Sequence, residues 1–211
     1  ARTFKMTKLK AIVTGGAGFI GSHLVEVLLK ADFKVMVLDN LSTGRLDNLK
    51  GVEKNPGLSF WKVDISDLDA ITGYFKGIDY CFHLAALADI VPSIVEPYKY
   101  HKSNVDGTVA VLEAARLNKV SKFIYTASSS CYGITNVLPT PESAEISPQY
   151  PYAFTKYIAE SYALSWAKIY KMPVISLRLF NVYGRRSRTS GTYGAVFPHG
   201  FFSRSKRRFY P

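Results

Sequence analysis

The stretch VTGGAGFIGSHL, residues 13–24, sets Gly15, Gly18 and Gly21 at intervals of three, after an apolar run and before a helical pattern. Glycine weakens strand and helix interiors alike, so such a triplet marks a sharp turn or a close approach to the backbone. The run before it, LKAIVT at 9–14, predicts a short strand. After it, FIGSHLVEVLLK at 19–30 carries apolar residues at 20, 24, 25, 28 and 29, the period of a helix. Strand, glycine turn and helix in that order make a dinucleotide-binding unit. Gly15 permits the turn, Gly18 leaves room for a pyrophosphate, Gly21 lets the helix pack close to the sheet, and the first helical amides face the phosphates. A second strand, KVMVLD at 34–39, ends on Asp39, eighteen residues after Gly21. A carboxylate there accepts bonds from the adenosine ribose hydroxyls and repels a 2′-phosphate, which favours NAD over NADP; Arg45 nearby keeps NADP as an alternative.

Further along, 58–63 reads as a third strand, 67–76 as weakly helical, 80–84 as a fourth strand and 98–117 as one long helical pattern. KFIYT at 122–126 is a fifth strand. Residues 152–170 form a helix behind Pro151, and 174–178 a sixth strand behind Pro173. Strand and helix alternate throughout, which predicts an α/β fold with a parallel sheet, helices on both faces and ligands at the carboxyl ends of the strands.

With 211 residues, 47% of them hydrophobic, the chain can build one domain with a real core and the start of a second. The net charge is +11, and Arg185, Arg186, Arg188, Arg204, Lys206, Arg207 and Arg208 supply seven of it in a stretch without acids. That stretch is either a phosphate or nucleic-acid patch or a solvated tail. No nucleic-acid module is recognised, and Phe201, Phe202, Phe209 and Tyr210 are the only aromatic pattern beside the tail's charges. No run of eighteen apolar residues predicts a membrane span, and ARTFKMTKLK lacks the apolar core of a secretory signal, with Met6 a candidate natural start. Cys81 and Cys131, with His23, His83, His101 and His199 scattered, show no metal spacing. A cytoplasmic, reduced, metal-free protein is expected.

The GxxGxxG spacing is followed in order by LDNLSTG (38–44), HLAALA (83–88), SNVDGT (103–108), YTASSSCYG (125–133), YAFTK (152–156) and RLFNVYG (178–184). Together these motifs resemble the extended short-chain dehydrogenase/reductase family, in particular its nucleotide-sugar epimerases and dehydratases, across about residues 9–197. The resemblance implies a Rossmann-type doubly wound parallel sheet over 1–184. It makes 185–211 the start of a substrate domain and a basic tail. It also implies NAD held by Gly15, Gly18, Phe19, Ile20, Gly21, Asp39, Asn40, Ser42, Thr43 and Gly44, with Asp64 and Ile65 flanking the adenine. Leu84, Ala85 and Ala86 would pass under the cofactor, Phe180 would lie beside it, and Tyr152 and Lys156 would touch it. Asn104 would hold the backbone near the nicotinamide side, or else bond locally within its helix.

Tyr152 and Lys156 are four apart on a predicted helix and so share a face. A free tyrosine has a pKa of about 10. A lysine cation and a positive nicotinamide ring would stabilise its phenolate, letting it take a proton from a sugar hydroxyl. Ser128, after the fifth strand, would bridge Tyr152 and the reacting oxygen, with Ser129 and Ser130 as alternates for that role or as turn caps; Asn181 would bond the sugar or its diphosphate. Family dehydratases carry an acidic pair where this chain has Ser129 and Ser130, so SSSCYG looks like the 4-epimerases of UDP-hexoses or UDP-N-acetylhexosamines. A dehydratase or reductase of the same family and a non-catalytic NAD-binding protein are the alternatives. The family's chains continue for a smaller domain, whereas HGFFSRSKRRFYP does not read as its expected helix. A chain lacking most of that domain would bind NAD with little or no turnover. A homodimer through helices at 98–117 and 152–170 is expected.

Overall fold

In the computed structural model, residues 8–187 are described. They fall into two compact units, one ending at Phe180 and one beginning at Asn181. Arg188 and the basic residues from Arg204 to Arg208 lie outside the described residues.

The first unit runs β1 (Lys10–Thr14), α1 (Phe19–Lys30), β2 (Lys34–Asp39), β3 (Leu58–Lys62), α2 (Leu68–Thr72), β4 (Tyr80–His83), α3 (Ile90–Val95), α4 (Pro97–His101), α5 (Gly107–Leu117), β5 (Lys122–Ser128), α6 (Pro151–Tyr170) and β6 (Val174–Leu179). The strands form a six-stranded sheet in the order β3-β2-β1-β4-β5-β6, and every pairing is parallel. The order reverses between β1 and β4, so a crevice opens at their carboxyl ends, where Thr14 sits in register with His83.

Alternation along the strands divides the core in two. Ala11, Val13, Val35 and Val37 pack against Val25, Leu28 and Leu29 of α1. Ile12, Leu38, Cys81, Phe123 and Tyr125 pack on the other face with Ile71 of α2, Val111 and Ala114 of α5, and Ala159 and Ala163 of α6. Each fully buried Val, Leu or Ile of these layers contributes about 1.5–3 kcal/mol. On β6 the helix-covered face carries Ser176 and Arg178, while Ile175 and Leu177 are exposed on the other.

Local signals set the helix limits. α1 starts behind an extended Gly18, and Asp67 caps α2 by accepting from Ala70 N–H at 3.0 Å. α6 begins at Pro151 and ends on a left-handed Lys171 ahead of Pro173. Three differences from the sequence expectation bear on the site. The pattern at 98–117 is α4 and α5 joined by one wide π-helical turn, Lys102–Asp106, which buries Asn104. α3 forms where none was expected, and β5 continues two residues past Thr126 to Ser128.

Candidate cofactor and catalytic site

The glycine turn between β1 and α1 is built from backbone. Gly15 has φ +69°, and a β-carbon on it would lie 2.7 Å from the Ala85 backbone, so the turn presses onto the loop leaving β4. A β-carbon on Gly21 would collide with the Gly15 carbonyl oxygen; the helix packs onto the turn itself. Gly16, which sequence reasoning passed over, packs against Val37 in the same way. One on Gly18 would meet only Gly15 O, at 3.1 Å, which leaves the outer side of the turn open. Helix geometry gives the amides of the half-buried Phe19 and Ile20 and of the buried Gly21 no intrahelical acceptor, and Gly18 supplies no side-chain cap. The turn therefore presents donors and an open surface to an anion.

Asp39 closes β2 and is buried. Its oxygens accept from Ala17 N–H at 3.0 Å and Leu41 N–H at 2.8 Å, bonds that oppose the rise in pKa caused by its burial. Each oxygen retains a lone pair for a further donor. Gly44 lets the following loop fold back, since a β-carbon there would lie 2.8 Å from Asp39 Oδ2. In that loop Asn40 and Ser42 are exposed and Thr43 half-buried, and Ser42 N–H donates to Asn40 Oδ1 at 2.9 Å. Burial pulls the Asp64 carboxyl up. Bonds from the Ser66 N–H and hydroxyl and from Asn40, with the Lys102 charge, bring it below the usual carboxylate range. Ile65 beside it is buried against Gly107.

At the crevice a polar chain crosses the sheet. Thr108 Oγ donates to Asn104 O at 2.6 Å, so it accepts from His83 Nε2 at 2.9 Å. His83 Nδ1 is then bare and accepts from Thr14 Oγ at 2.6 Å, and Thr14 in turn accepts from Ala85 N–H at 3.3 Å. Burial, aided by the Lys156 charge, pushes His83 down to about 3, so the imidazole is neutral. Leu84, Ala85 and Ala86 leave β4 half-buried above this chain. The Asn104 side chain bonds both backbone groups of Leu87, at 2.8 and 3.0 Å, and Thr155 at 3.0 Å; Thr155 donates to Tyr152 O. Its partners are thus long-range, not local.

The other half of the site is a turn at the end of β5. Ser128 Oγ accepts from Ser130 N–H at 3.2 Å and from Ser130 Oγ at 2.8 Å, which caps the turn Ser129–Tyr132. With both lone pairs used, Ser128 keeps its hydroxyl proton as a donor, and its interaction with Tyr152 pulls that phenol's pKa down. The turn closes at Gly133, φ +62°, against the Ser147 carbonyl. Burial raises the Tyr152 pKa, the Ser128 bond opposes this, and Tyr150 and Asp89 add to the rise. That direction is opposite to the one expected from Lys156. The Lys156 ammonium instead donates to Thr126 O at 2.6 Å and lies 4.5 Å from the Tyr125 ring centre. Burial pushes it down to about 7, with the Glu160 carboxylate pulling the other way. Ser128 and Tyr152 are thus together, and Asn104 is tied to Tyr152 through Thr155. Phe180 is exposed and stacks on Tyr132. Asn181 belongs to the second unit, where it, Tyr183 and Arg185 are exposed. Sequence reasoning missed Thr14, His83 and Thr108 as a set. The available signal was a polar residue closing each of two apolar strands.

The sequence model of the NAD dependent epimerase/dehydratase family matches residues 11–203. UDP-glucose 4-epimerase of Mycolicibacterium smegmatis is 39% identical over 191 residues, covering 89% of this chain and 61% of the relative. Among solved structures, UDP-N-acetylglucosamine 4-epimerase from Methanobrevibacter ruminantium, in complex with UDP-N-acetylmuramic acid, superposes with a TM-score of 0.86 at 39% identity over 92% of this chain and 61% of the other. UDP-glucose 4-epimerase from Thermus thermophilus, in complex with NAD, gives 0.82 at 35% identity over 89% and 60%. The chain spans about 60% of the length of these relatives.

Proposed function

The chain belongs to the NAD-dependent epimerase/dehydratase family, and on that premise we propose that its protein is a nucleotide-sugar 4-epimerase whose NAD-binding part lies in the residues described above. The carrying observation is that the turn at the end of β5 brings the Ser128 hydroxyl to act on the buried Tyr152 phenol, beside Ser129 and Ser130 and with no carboxylate in the turn.

The residues fit NAD. The Gly15–Gly18–Gly21 turn is a cradle that a β-carbon on Gly18 would begin to fill, and Asp39 keeps lone pairs for ribose hydroxyls while repelling a 2′-phosphate. Bound NAD supplies a hydride acceptor and donor. The chain's own groups manage the proton. Tyr152 takes it from the sugar 4-hydroxyl and returns it, and Ser128 donates to the oxygen that bears it. Lys156, already near half-protonation, holds positive charge beside the site when a ribose hydroxyl or phenolate faces it. Asn181 is assigned to the sugar or its diphosphate by its place in RLFNVYG. The substrate is a UDP-sugar, as the relatives' names suggest.

A dehydratase is the second reading. It would need an acid to protonate the leaving hydroxyl, and Ser129 and Ser130 occupy the positions beside Ser128. No helix among the described residues is long and apolar enough to cross a membrane. A second copy of the chain is the proposed partner, docking on the groove lined by Val105, Val109, Ile158, Tyr162, Trp166 and Tyr170 of the π turn, α5 and α6.

Calorimetry with NAD, followed by NMR of UDP-glucose and UDP-N-acetylglucosamine incubations, tests the proposal. NAD uptake is expected, with C4 inversion by the whole protein that Tyr152→Phe abolishes and slow or absent turnover by the 211-residue chain. A well-folded chain that takes up no NAD would overturn the assignment, and a 4-keto-6-deoxy product would select the dehydratase.

A further inference from the structure

Glu160 lies one helical turn beyond Lys156 on α6 and is 4% exposed. Its Oε2 is 2.9 Å from Arg178 Nε of β6, and its Oε1 accepts from Ser176 Oγ at 2.6 Å. Arg178 in turn donates from Nη1 to the Tyr132 hydroxyl at 2.9 Å and lies 5.0 Å from that ring's centre. Tyr132 is the last residue of the serine turn. We propose that Glu160 and Arg178 are positioning residues for the Tyr152–Lys156 pair: their ion pair fastens the helix carrying both to β6 and, through Tyr132, to the turn carrying Ser128. The inference rests on the roles proposed above for Tyr152, Lys156 and Ser128.

Three elements must hold still for Ser128 to meet Tyr152: the end of β5, the serine turn and the start of α6. Glu160 and Arg178 tie α6 to β6, whose pairing with β5 runs as far as Ser128, and through Tyr132 to the serine turn. A buried ion pair adds less stability than its contact suggests, because both charges lose water. What it supplies here is direction, since a guanidinium held on one side by a carboxylate and on another by a phenol has one orientation. The carboxylate also faces Lys156 from its own helix. The other groups against that ammonium are the Tyr125 ring and Thr126 carbonyl of β5 and His83 of β4, none of them anionic. Among these groups Glu160 is the counter-charge that resists deprotonation of Lys156.

The test uses the full chain. Glu160→Gln keeps the shape and removes the charge. Lys156 should then lose its proton about one pH unit lower, a tenfold change, read from its 15Nζ or 13Cε resonance with Lys156→Arg as the assignment control. Tyr132→Phe leaves the ion pair intact and removes only the tie to the turn. Amide exchange at Ser130 and Gly133 should rise about tenfold, the equivalent of losing one hydrogen bond to a charged group, while Lys156 titrates as before. A folded Glu160→Gln protein with unmoved Lys156 titration would refute the proposal, as would unchanged exchange in Tyr132→Phe. If Glu160→Gln does not fold, Tyr132→Phe decides alone. NAD uptake by the unaltered chain tests the proposed function and leaves both readouts untouched, so the two failures are distinguishable.

Discussion

The glycine turn after β1 and the serine turn after β5 both close a parallel strand at the same end of the sheet, yet they are made by opposite means. At the first, side chains are removed: Gly15, Gly16 and Gly21 each exclude a β-carbon because another atom already occupies its place. At the second, side chains are crowded in. Ser128, Ser130, Tyr132, Arg178 and Glu160 satisfy one another's polar atoms, and Lys156 is buried against Thr126 and Tyr125. A turn of the first kind is rigid because nothing else fits. One of the second kind holds only while every member of its network is present. Substitutions should therefore act on fold and affinity at the first, and on titration and alignment at the second.

The largest effect should come at Gly21. Gly21→Ala pushes a methyl group into the Gly15 carbonyl and should cost about 3 kcal/mol or more, read as a fall in the urea midpoint. Gly18→Ala separates the two duties of the turn. With only one neighbour, at 3.1 Å, it should cost about 1 kcal/mol or less in stability yet weaken NAD uptake tenfold or more by calorimetry. A tolerated Gly21→Ala would break the comparison.

Next in size is His83→Leu, which removes the acceptor of the buried Thr14 hydroxyl and one donor to Thr108 and should cost about 2–3 kcal/mol. It carries a pH signature. The native imidazole titrates near 3 and the unfolded one at 6.5, so between those values only the unfolded chain takes up the proton. The stability due to this group is complete above pH 6.5 and declines as pH falls towards 3. Melting temperatures of the variant should be flatter over that window.

Lys156→Met should raise stability where His83→Leu lowers it. The native amine titrates near 7 and its unfolded counterpart at 10.5. The group's contribution is therefore complete above 10.5 and lost as pH falls to 7. At pH 7 the variant should be more stable than the parent by about 1–2 kcal/mol, with weaker NAD binding, and its advantage should shrink as pH rises. Equal stability at pH 7 would mean that Lys156 is better solvated than its position implies.

A small change in stability is also expected for Ser128→Ala. Loss of the turn cap should cost about 1 kcal/mol, and loss of the bond to Tyr152 should raise that phenol's pKa further. A tyrosine 13Cζ titration, assigned with Tyr152→Phe, reads the shift. An unmoved phenol would mean that Ser128 and Tyr152 share no bond.

The same contrast explains what the sequence revealed. The glycine turn, α1, β2 and Asp39 were legible because each depends on neighbours in sequence: an apolar period, a residue without a side chain, an acid at a strand's end. The start of α6 was legible from Pro151. The π turn at Lys102–Asp106 was not, since one extra residue leaves the apolar spacing of 98–117 almost unchanged while it rotates Asn104 into the interior. α3 was hidden by Pro92, which sits in its first turn, where a missing amide costs little. Position 152 was readable, but the environment of its phenol was not. Its burial and its partner Ser128, twenty-four residues away, exist only after β5 and α6 pack. Glu160 and Arg178, eighteen residues apart, carried no local mark at all.

One consequence follows from the hydroxyl–imidazole–hydroxyl crossing at the middle of the sheet. Each proton in it is committed: from Ala85 to Thr14, from Thr14 to His83, from His83 to Thr108, and from Thr108 to the Asn104 carbonyl. Exchanging the imidazole tautomer would require both threonine rotors to turn and would leave the Asn104 carbonyl without the Thr108 donor. The floor of the cleft therefore holds one proton arrangement, in which a single imidazole links the Ala85 loop to the carbonyl of Asn104 across the sheet.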